Sequence, residues 1–207
     1  MTNKNEEKTA NTNKKAPTMT PQQFLQFLQQ YGREIEQARQ RTLPIKVGRI
    51  AKDHFQDNFR RGGFVDGGLH PWLRTHRQKY AHGAGKQYKP LMSSRQNLYG
   101  SIAYAPTDAA VTIGTSVPYA NIHNSGGDIV VTKRMKRFFW AKFREENGDS
   151  WARKHKNSEA DFWYRMAQKP VGSTIHIPQR KFIGESRELD EIIEQAIDKE
   201  IEDIISK

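Results

Sequence analysis

The sequence predicts an α+β fold: a small antiparallel β-sheet flanked by N-terminal and C-terminal helices, with a helical insertion rich in basic and aromatic residues. Three observations predict it. Strand-like alternation is dense between residues 101 and 114 and returns at Thr174-Ile175-His176-Ile177. Apolar residues recur at helical spacing near both ends of the chain. Between residues 132 and 170, Lys and Arg are interleaved with Phe, Trp and Tyr over a length that suits a pair of helices.

The 207 residues suit one compact domain with appendages. Residues 1–19 are polar and aperiodic, which reads as a disordered arm, and residues 20–207 as a single α+β domain. Hydrophobic content is 35%, low for a globular chain, so part of it is expected outside the core. A net charge of +11 calls for an anionic neighbour, nucleic acid or an acidic protein surface, and charge alone does not choose between them. The absence of cysteine excludes a disulfide framework and a thiolate metal site. The start, MTNKNEEKTANTNKK, has no apolar core, so no secretory signal is expected. No apolar run approaches a membrane span, and the expectation is a soluble protein made in a cytosol.

Thr20-Pro21-Gln22-Gln23 is a helix start: Thr20 caps, Pro21 suits the first turn and Gln23 closes a capping box. Phe24, Leu28, Tyr31, Ile35 and Ala38 then form one narrow apolar stripe, suited to a single neighbouring helix of this chain or of another copy. Pro44 is expected to break or kink that helix. A second apolar face runs through Leu43, Val47, Ile50, Ala51, Phe55 and Phe59 to Gly62-Gly63, where a glycine takes a left-handed cap. Residues 64–90 show no period and many glycines and prolines, and read as a long loop carrying Trp72, Tyr80 and Tyr88 among basic residues.

A short helix within residues 91–100 brings Leu91, Leu98 and Ile102 towards the residues 101–114 hairpin, which turns at Pro106-Thr107-Asp108. That hairpin is the expected centre of the fold, with one face buried under the flanking helices. His123, beside Asn124, is expected to cap the turn before Gly126-Gly127, which releases the chain into Ile129-Val130-Val131. The insertion reads as helices near residues 133–145 and 159–168. After the strand at 174–177, Pro178 starts a bend, and Ser186 caps a last helix with Leu189, Ile192, Ile193, Ala196, Ile197, Ile201, Ile204 and Ile205 on one face. Its other face is acidic, so copies could meet head-to-tail, basic surface to acidic surface, and close into a ring.

No catalytic constellation emerges. His70, His76 and His82 are six residues apart without an acidic cluster beside them, which matches no familiar ligand spacing. Ser93, Ser94 and Ser125 lack a nucleophile elbow, and the glycine pairs do not lead from a strand into a phosphate-binding helix. The reading is therefore a non-enzyme without cofactor. Aromatics beside Lys and Arg can hold a single nucleic-acid strand, whereas Phe139, Phe143 and Trp140 also fit a helix face packed on Phe162 or Met166. The candidates for contact with a sister subunit or with DNA are Arg134, Lys136, Arg137, Trp140, Lys142, Arg180, Lys181, Trp72 and Tyr80.

An ordered set of local patterns carries a resemblance. Phe59-Arg60-Arg61-Gly62-Gly63-Phe64 leads to Pro71-Trp72, then come Leu98-Tyr99-Gly100-Ser101-Ile102 and Tyr119-Ala120-Asn121-Ile122-His123-Asn124-Ser125-Gly126-Gly127. Ile177-Pro178-Gln179-Arg180-Lys181-Phe182-Ile183-Gly184 follows, before a final amphipathic helix. In this order and spacing, from about residue 43 to the end, the chain resembles the phage virion-morphogenesis family of Mu-like tail-completion or head–tail joining proteins. Arg95-Gln96 departs from the Ser/Thr-Gly common in that family, and Gln179 and Lys181 stand where Ala and Pro are common. The resemblance implies an α+β fold and a structural component of the virion. Its implied partners are sister copies in a ring, tail-tube or terminator proteins and the head connector, with DNA passing through a basic bore and no membrane. The alternative reading is a nucleic-acid-binding accessory protein that uses the basic-aromatic insertion.

Overall fold

The computed structural model describes residues 19–80, 87–148 and 157–206. The predicted arm lies outside them apart from Met19. The first helix opens as its sequence requires: Thr20 Oγ1 accepts from the Gln23 amide at 3.2 Å, and the Gln23 side chain accepts from the Thr20 amide at 2.9 Å. Helix α1 (Pro21–Gln37) follows.

Pro44 does not break the helix. The chain passes from α1 through a π-helical turn (Ala38–Thr42) into α2 (Leu43–Arg61) without leaving helical backbone. A proline has no N–H for the carbonyl one turn back, which here is that of Gln40. The Ala109 amide, at a distant hairpin tip, donates to the Gln40 oxygen at 3.4 Å instead. The wider turn, closed by the Leu43 amide on the Ala38 carbonyl, accommodates the ring. Helix α2 ends where Gly62 takes φ 74°, a left-handed cap that costs glycine little.

The stretch expected as an irregular loop contains regular structure. Strands β1 (Gly63–Val65) and β2 (Leu69–Pro71) pair antiparallel across a turn in which Gly67 and Gly68 have φ of 65° and 125°. Helix α3 (His76–Tyr80) follows. These elements are too short to show a period. Helix α4 (Asn97–Gly100) then leads into the hairpin of β3 (Ala103–Thr107) and β4 (Ala110–Gly114), with Tyr104 opposite Ile113. Helix α5 (Ala120–Ser125) precedes β5 (Gly127–Val130), and β5 pairs antiparallel with β6 (Thr174–Ile177). Between these partners lie α6 (Lys133–Asn147) and α7 (Ser158–Gln168), close to the bounds read from the sequence. Helix α8 (Arg187–Ile205) completes the described chain. The α+β reading holds, with the strands divided into three two-stranded antiparallel ladders.

The β3–β4 hairpin is not the centre: its residues are half-buried or exposed. It leans on α2 at Gly48, where an added Cβ would stand 2.8 Å from Tyr104 Cγ and from Val111 Cγ2. The hairpin's short side chains cannot fill a core, whereas α2 offers Phe55 and Phe59 one turn apart. The core gathers Ala51, Phe55 and Phe59 of α2 with Phe64, Trp72, Leu98, Ile102, Ala120, Phe182 and Leu189. Phe59 is fully buried, its ring 5.5 Å from Trp72 and 5.1 Å from Phe182.

The segment joining β6 to α8 has no ladder of its own, so side chains satisfy its backbone. Asn124 Oδ1 accepts from the Phe182 and Ile183 amides at 2.8 and 3.0 Å, and Asn124 Nδ2 donates to the Ile183 carbonyl at 3.1 Å. From the other side, fully buried Asn58 donates to the Phe182 carbonyl at 3.3 Å and accepts from the Val65 amide at 3.1 Å. Trp72 Nε1 donates to the Lys181 carbonyl at 2.8 Å. Ser186 caps α8 by accepting from the Leu189 amide at 3.3 Å. The Gly67 and Gly68 amides each donate to the Glu188 carboxylate at 2.8 Å, tying the first turn of α8 to the β1–β2 turn.

Asn58→Ala leaves the Val65 amide and the Phe182 carbonyl without their partner, and is expected to cost about 1–3 kcal/mol. At roughly 2–4 °C per kcal/mol for a chain of this size, the thermal midpoint reads this directly, and an unchanged midpoint would show that the clamp contributes nothing.

Burial lowers the pKa of His54 and of His123, the latter with help from Arg180, and both keep a buried ring nitrogen without a hydrogen-bond partner. The unfolded chain takes up these protons from about pH 6.5 downward, before the folded chain does. The unfolded state then binds more protons, so stability falls as pH falls. Asp66 and Glu188, held low chiefly by the Arg187 and Gly67 amides respectively, act in the same direction at more acidic pH. The thermal midpoint is expected to drop between about pH 7.5 and 5.5, with a shallower drop in His123→Gln. A flat midpoint over that range would contradict this reading.

Candidate interaction surface

The residues singled out for contact with a partner fall on two parts of the molecule. Arg134, Lys136, Arg137, Trp140 and Lys142 lie on α6, whereas Trp72, Arg180 and Lys181 lie on the body. The Tyr80 side chain lies outside the described residues.

Helices α6 and α7 form an arm on the β5–β6 ladder. Its base extends that ladder: the Val131 amide donates to the Ser173 carbonyl at 2.8 Å, and the Gly172 amide to the Val131 carbonyl at 2.9 Å. Val131 is buried there. Each helix starts on a side-chain cap, with Thr132 Oγ1 accepting from the Met135 amide at 3.2 Å and Asn157 Oδ1 from the Ala160 amide at 2.8 Å.

The aromatic residues meet between the two helices. Phe139 stacks with Trp163 at 6.2 Å, Trp140 meets Tyr164 edge-on at 5.9 Å, and the rings of Phe143 and Tyr164 are 5.3 Å apart. Phe139, Phe143, Ala160 and Ala167 are buried. These rings are the core of the arm, so Phe139 and Phe143 offer no open platform to a base. Phe138, with its ring 5.9 Å from Trp163, is half exposed. The ring of His76 of α3 lies 4.4 Å from that of Phe162, tilted by 32°, and connects the arm to the body; burial lowers its pKa.

With the aromatics turned inward, α6 presents charge outward. It carries Lys133, Arg134, Lys136, Arg137, Lys142 and Arg144 against Glu145 and Glu146. Arg134 and Arg137 are exposed. Lys142 pairs with Glu145 at 2.5 Å, which raises its pKa and removes part of its reach. Helix α8 has the opposite sign, with Glu188, Asp190, Glu191, Glu194, Asp198, Glu200, Glu202 and Asp203 against Arg187 and Lys199. Lys46 of α2 pairs with Glu200.

On the body, Trp72 is a core residue. Arg180 is 7% exposed and donates through Nε and Nη2 to the Leu73 carbonyl at 3.3 and 3.1 Å, while its amide donates to the His123 carbonyl at 2.7 Å. Burial lowers its pKa. Lys181 places Nζ 4.2 Å from the Phe64 ring centroid and donates to the Glu185 carbonyl at 3.1 Å. Arg180 and Lys181 thus brace the segment before α8, and the exposed cations of α6 stand apart from them. Sequence reading missed Asn58, whose only signal is a poor helix former inside a helix, and it gave the turn before Gly126-Gly127 to His123, whose Nδ1 is buried without a partner, while the neighbouring Asn124 holds the Phe182 and Ile183 amides.

Among the described residues, no three His, Asp or Glu side chains come together as a metal site, and no helix is long and apolar enough to cross a membrane. No curated protein and no solved structure matches the chain. A family model described as the phage virion morphogenesis family matches residues 19–202. That span runs from the cap of α1 through all three ladders and the arm into the last turns of α8, so the chain belongs to the phage virion morphogenesis family and has a structural, morphogenetic role in a bacteriophage virion.

Proposed function

We propose that this protein completes the tail, or joins the tail to the head connector, as one subunit of a ring of copies. The observation that carries this reading is the segregation of charge on a member of a virion-assembly family. An arm presents exposed Arg134 and Arg137, and a different helix carries eight carboxylates, of which Glu188 and Glu200 are engaged within the chain. Opposite signs on different elements favour a head-to-tail contact between copies, which closes into a ring when the rotation allows. The partners proposed on the two sides of the ring are tail-tube or terminator proteins and the head connector. No chemical step is assigned to it.

Phages lacking the protein are expected to accumulate filled heads and unattached tails, visible by electron microscopy of lysates. Normal joining in its absence would overturn the assignment.

The exposed cations of α6 also favour a second reading, contact with DNA phosphates. With Phe139 and Phe143 buried and Phe138 only half exposed, such contact is mainly electrostatic and does not read sequence. Four phosphate contacts would weaken binding about a hundredfold between roughly 50 and 200 mM salt. Replacing Arg134, Lys136, Arg137 and Lys142 together by Gln should abolish that binding. Absence of binding to duplex or single-stranded DNA at low salt removes the second reading and leaves an acidic protein surface as the arm's partner.

A further inference from the structure

Helices α6 and α8 each turn one charged stripe to solvent, and the two stripes match in length and oppose in sign. On α6 the side away from Phe139 and Phe143 carries Arg134, Arg137, Ala141 and Arg144, at i, i+3, i+7 and i+10, all exposed. The acid beside them, Glu145, is paired with Lys142. On α8 the side away from buried Leu189 and Ile204 carries Glu191, Gln195, Asp198 and Glu202, at i, i+4, i+7 and i+11, again all exposed. Exposed Glu194 flanks that stripe on one side and Lys199 on the other. At 1.5 Å per residue the two stripes run about 15 and 16 Å.

Their spacings interlock in one direction. Counted from Arg134 forward and from Glu202 backward, Arg134 meets Glu202, Arg137 meets Asp198 and Arg144 meets Glu191. The two uncharged members, Ala141 and Gln195, then meet each other. A parallel alignment also brings the arginines to carboxylates, but it sets Asp198 against the Ala141 methyl and aligns the two helix dipoles unfavourably. Within one copy α6 packs on α7 and α8 packs on α2, and both stripes stay open. A phosphate backbone would satisfy the arginines and leave the α8 carboxylates without a partner, whereas a second copy satisfies both. Each exposed pair is weak alone, and three in one register select orientation and partner.

We propose that the arginine stripe of α6 lies antiparallel along the carboxylate stripe of α8 in a second copy, with Ala141 opposite Gln195. The inference rests on the ring reading above and fixes the register of its contact. Each copy gives its arm to one neighbour and its α8 to another, the heterologous arrangement that a ring needs.

Two experiments on the full chain test it. In the first, Arg134→Glu/Arg137→Glu/Arg144→Glu and Glu191→Lys/Asp198→Lys/Glu202→Lys each set like charge against like. Sedimentation velocity at roughly 50 mM salt should show self-association weakened about tenfold or more in either variant. Unfolding midpoints should stay near that of the wild type, because all six side chains are exposed. An equimolar mixture of the two reversed chains restores opposite charge at every contact and should recover assembly. In the second, the absence of native cysteine lets a disulfide report the register. Ala141→Cys mixed with Gln195→Cys under oxidised glutathione should give about tenfold more linked pairs than Ala141→Cys mixed with Asp198→Cys.

If the mixture of reversed chains does not recover, the stripes do not meet and the contact is wrong. More linkage through residue 198 than through 195 overturns the antiparallel register. If the α6 reversal loses duplex DNA but self-associates like the wild type, the arm serves phosphate and the ring closes through another surface. A wild type that stays monomeric at every concentration tested, alone and with tail proteins, overturns the ring reading itself.

Discussion

The Phe182 peptide, held between two asparagine side chains, is the tie on which the other parts of this molecule depend. Its carbonyl is taken by Asn58 of α2 and its amide by Asn124 of α5, while its ring lies 5.1 Å from that of Phe59. A buried backbone outside any ladder is tolerated only when its polar groups are paired, and here side chains take over what a neighbouring strand would do. The same asparagines also bind Val65 and Ile183, so α2, β1, α5 and the lead-in to α8 share one hydrogen-bonded knot. Removing one of them would leave several buried groups without partners at once.

The protruding pieces are each fastened close to this knot. The arm returns through β6 to Gln179 and Arg180, and Arg180 is bound to carbonyls of Leu73 and His123. Helix α8 starts four residues after Phe182 on the Ser186 cap, and its Glu188 takes the two glycine amides of the β1–β2 turn. The helical rod of α1 and α2 passes through the knot at Asn58 and Phe59 and projects beyond it. The body thus positions a basic arm, an acidic helix and a long helical rod, with α8 tied to the rod through Tyr31 and Lys46.

The division between aromatic and basic residues in the arm follows from helix geometry. Along α6, Phe139, Trp140 and Phe143 share the side towards α7, and Arg134, Arg137 and Arg144 point away from it. A composition that reads as stacking residues mixed with cations therefore separates, on folding, into a hydrophobic seam and a charged exterior. The outward side of α6 is therefore mainly charged, with Phe138 half exposed beside it.

Much was legible in the residues themselves wherever the signal is local. The Thr20–Gln23 capping box, the Gly62 left-handed cap, the Ser186 cap, both arm helices and the strands at 110–114 and 174–177 all depend on neighbours a few positions away. The first hairpin strand, read at 101–105 with a turn at Pro106-Thr107-Asp108, instead runs from Ala103 to Thr107, with Pro106 opposite Val111 and the turn at Asp108-Ala109. Membership of a virion-assembly family was legible too, from ordered short patterns. Tertiary structure alone decided the rest. Whether Pro44 breaks a helix depends on whether the freed Gln40 carbonyl finds another donor, and that donor is the Ala109 amide of a distant hairpin. The centre of the fold moved from that hairpin to α2 because aromatic volume, not strand propensity, fills a core. Asn58 and Asn124 look like weak helix residues until the Phe182 peptide arrives between them, since a hydrogen bond across more than fifty residues leaves no trace in local sequence.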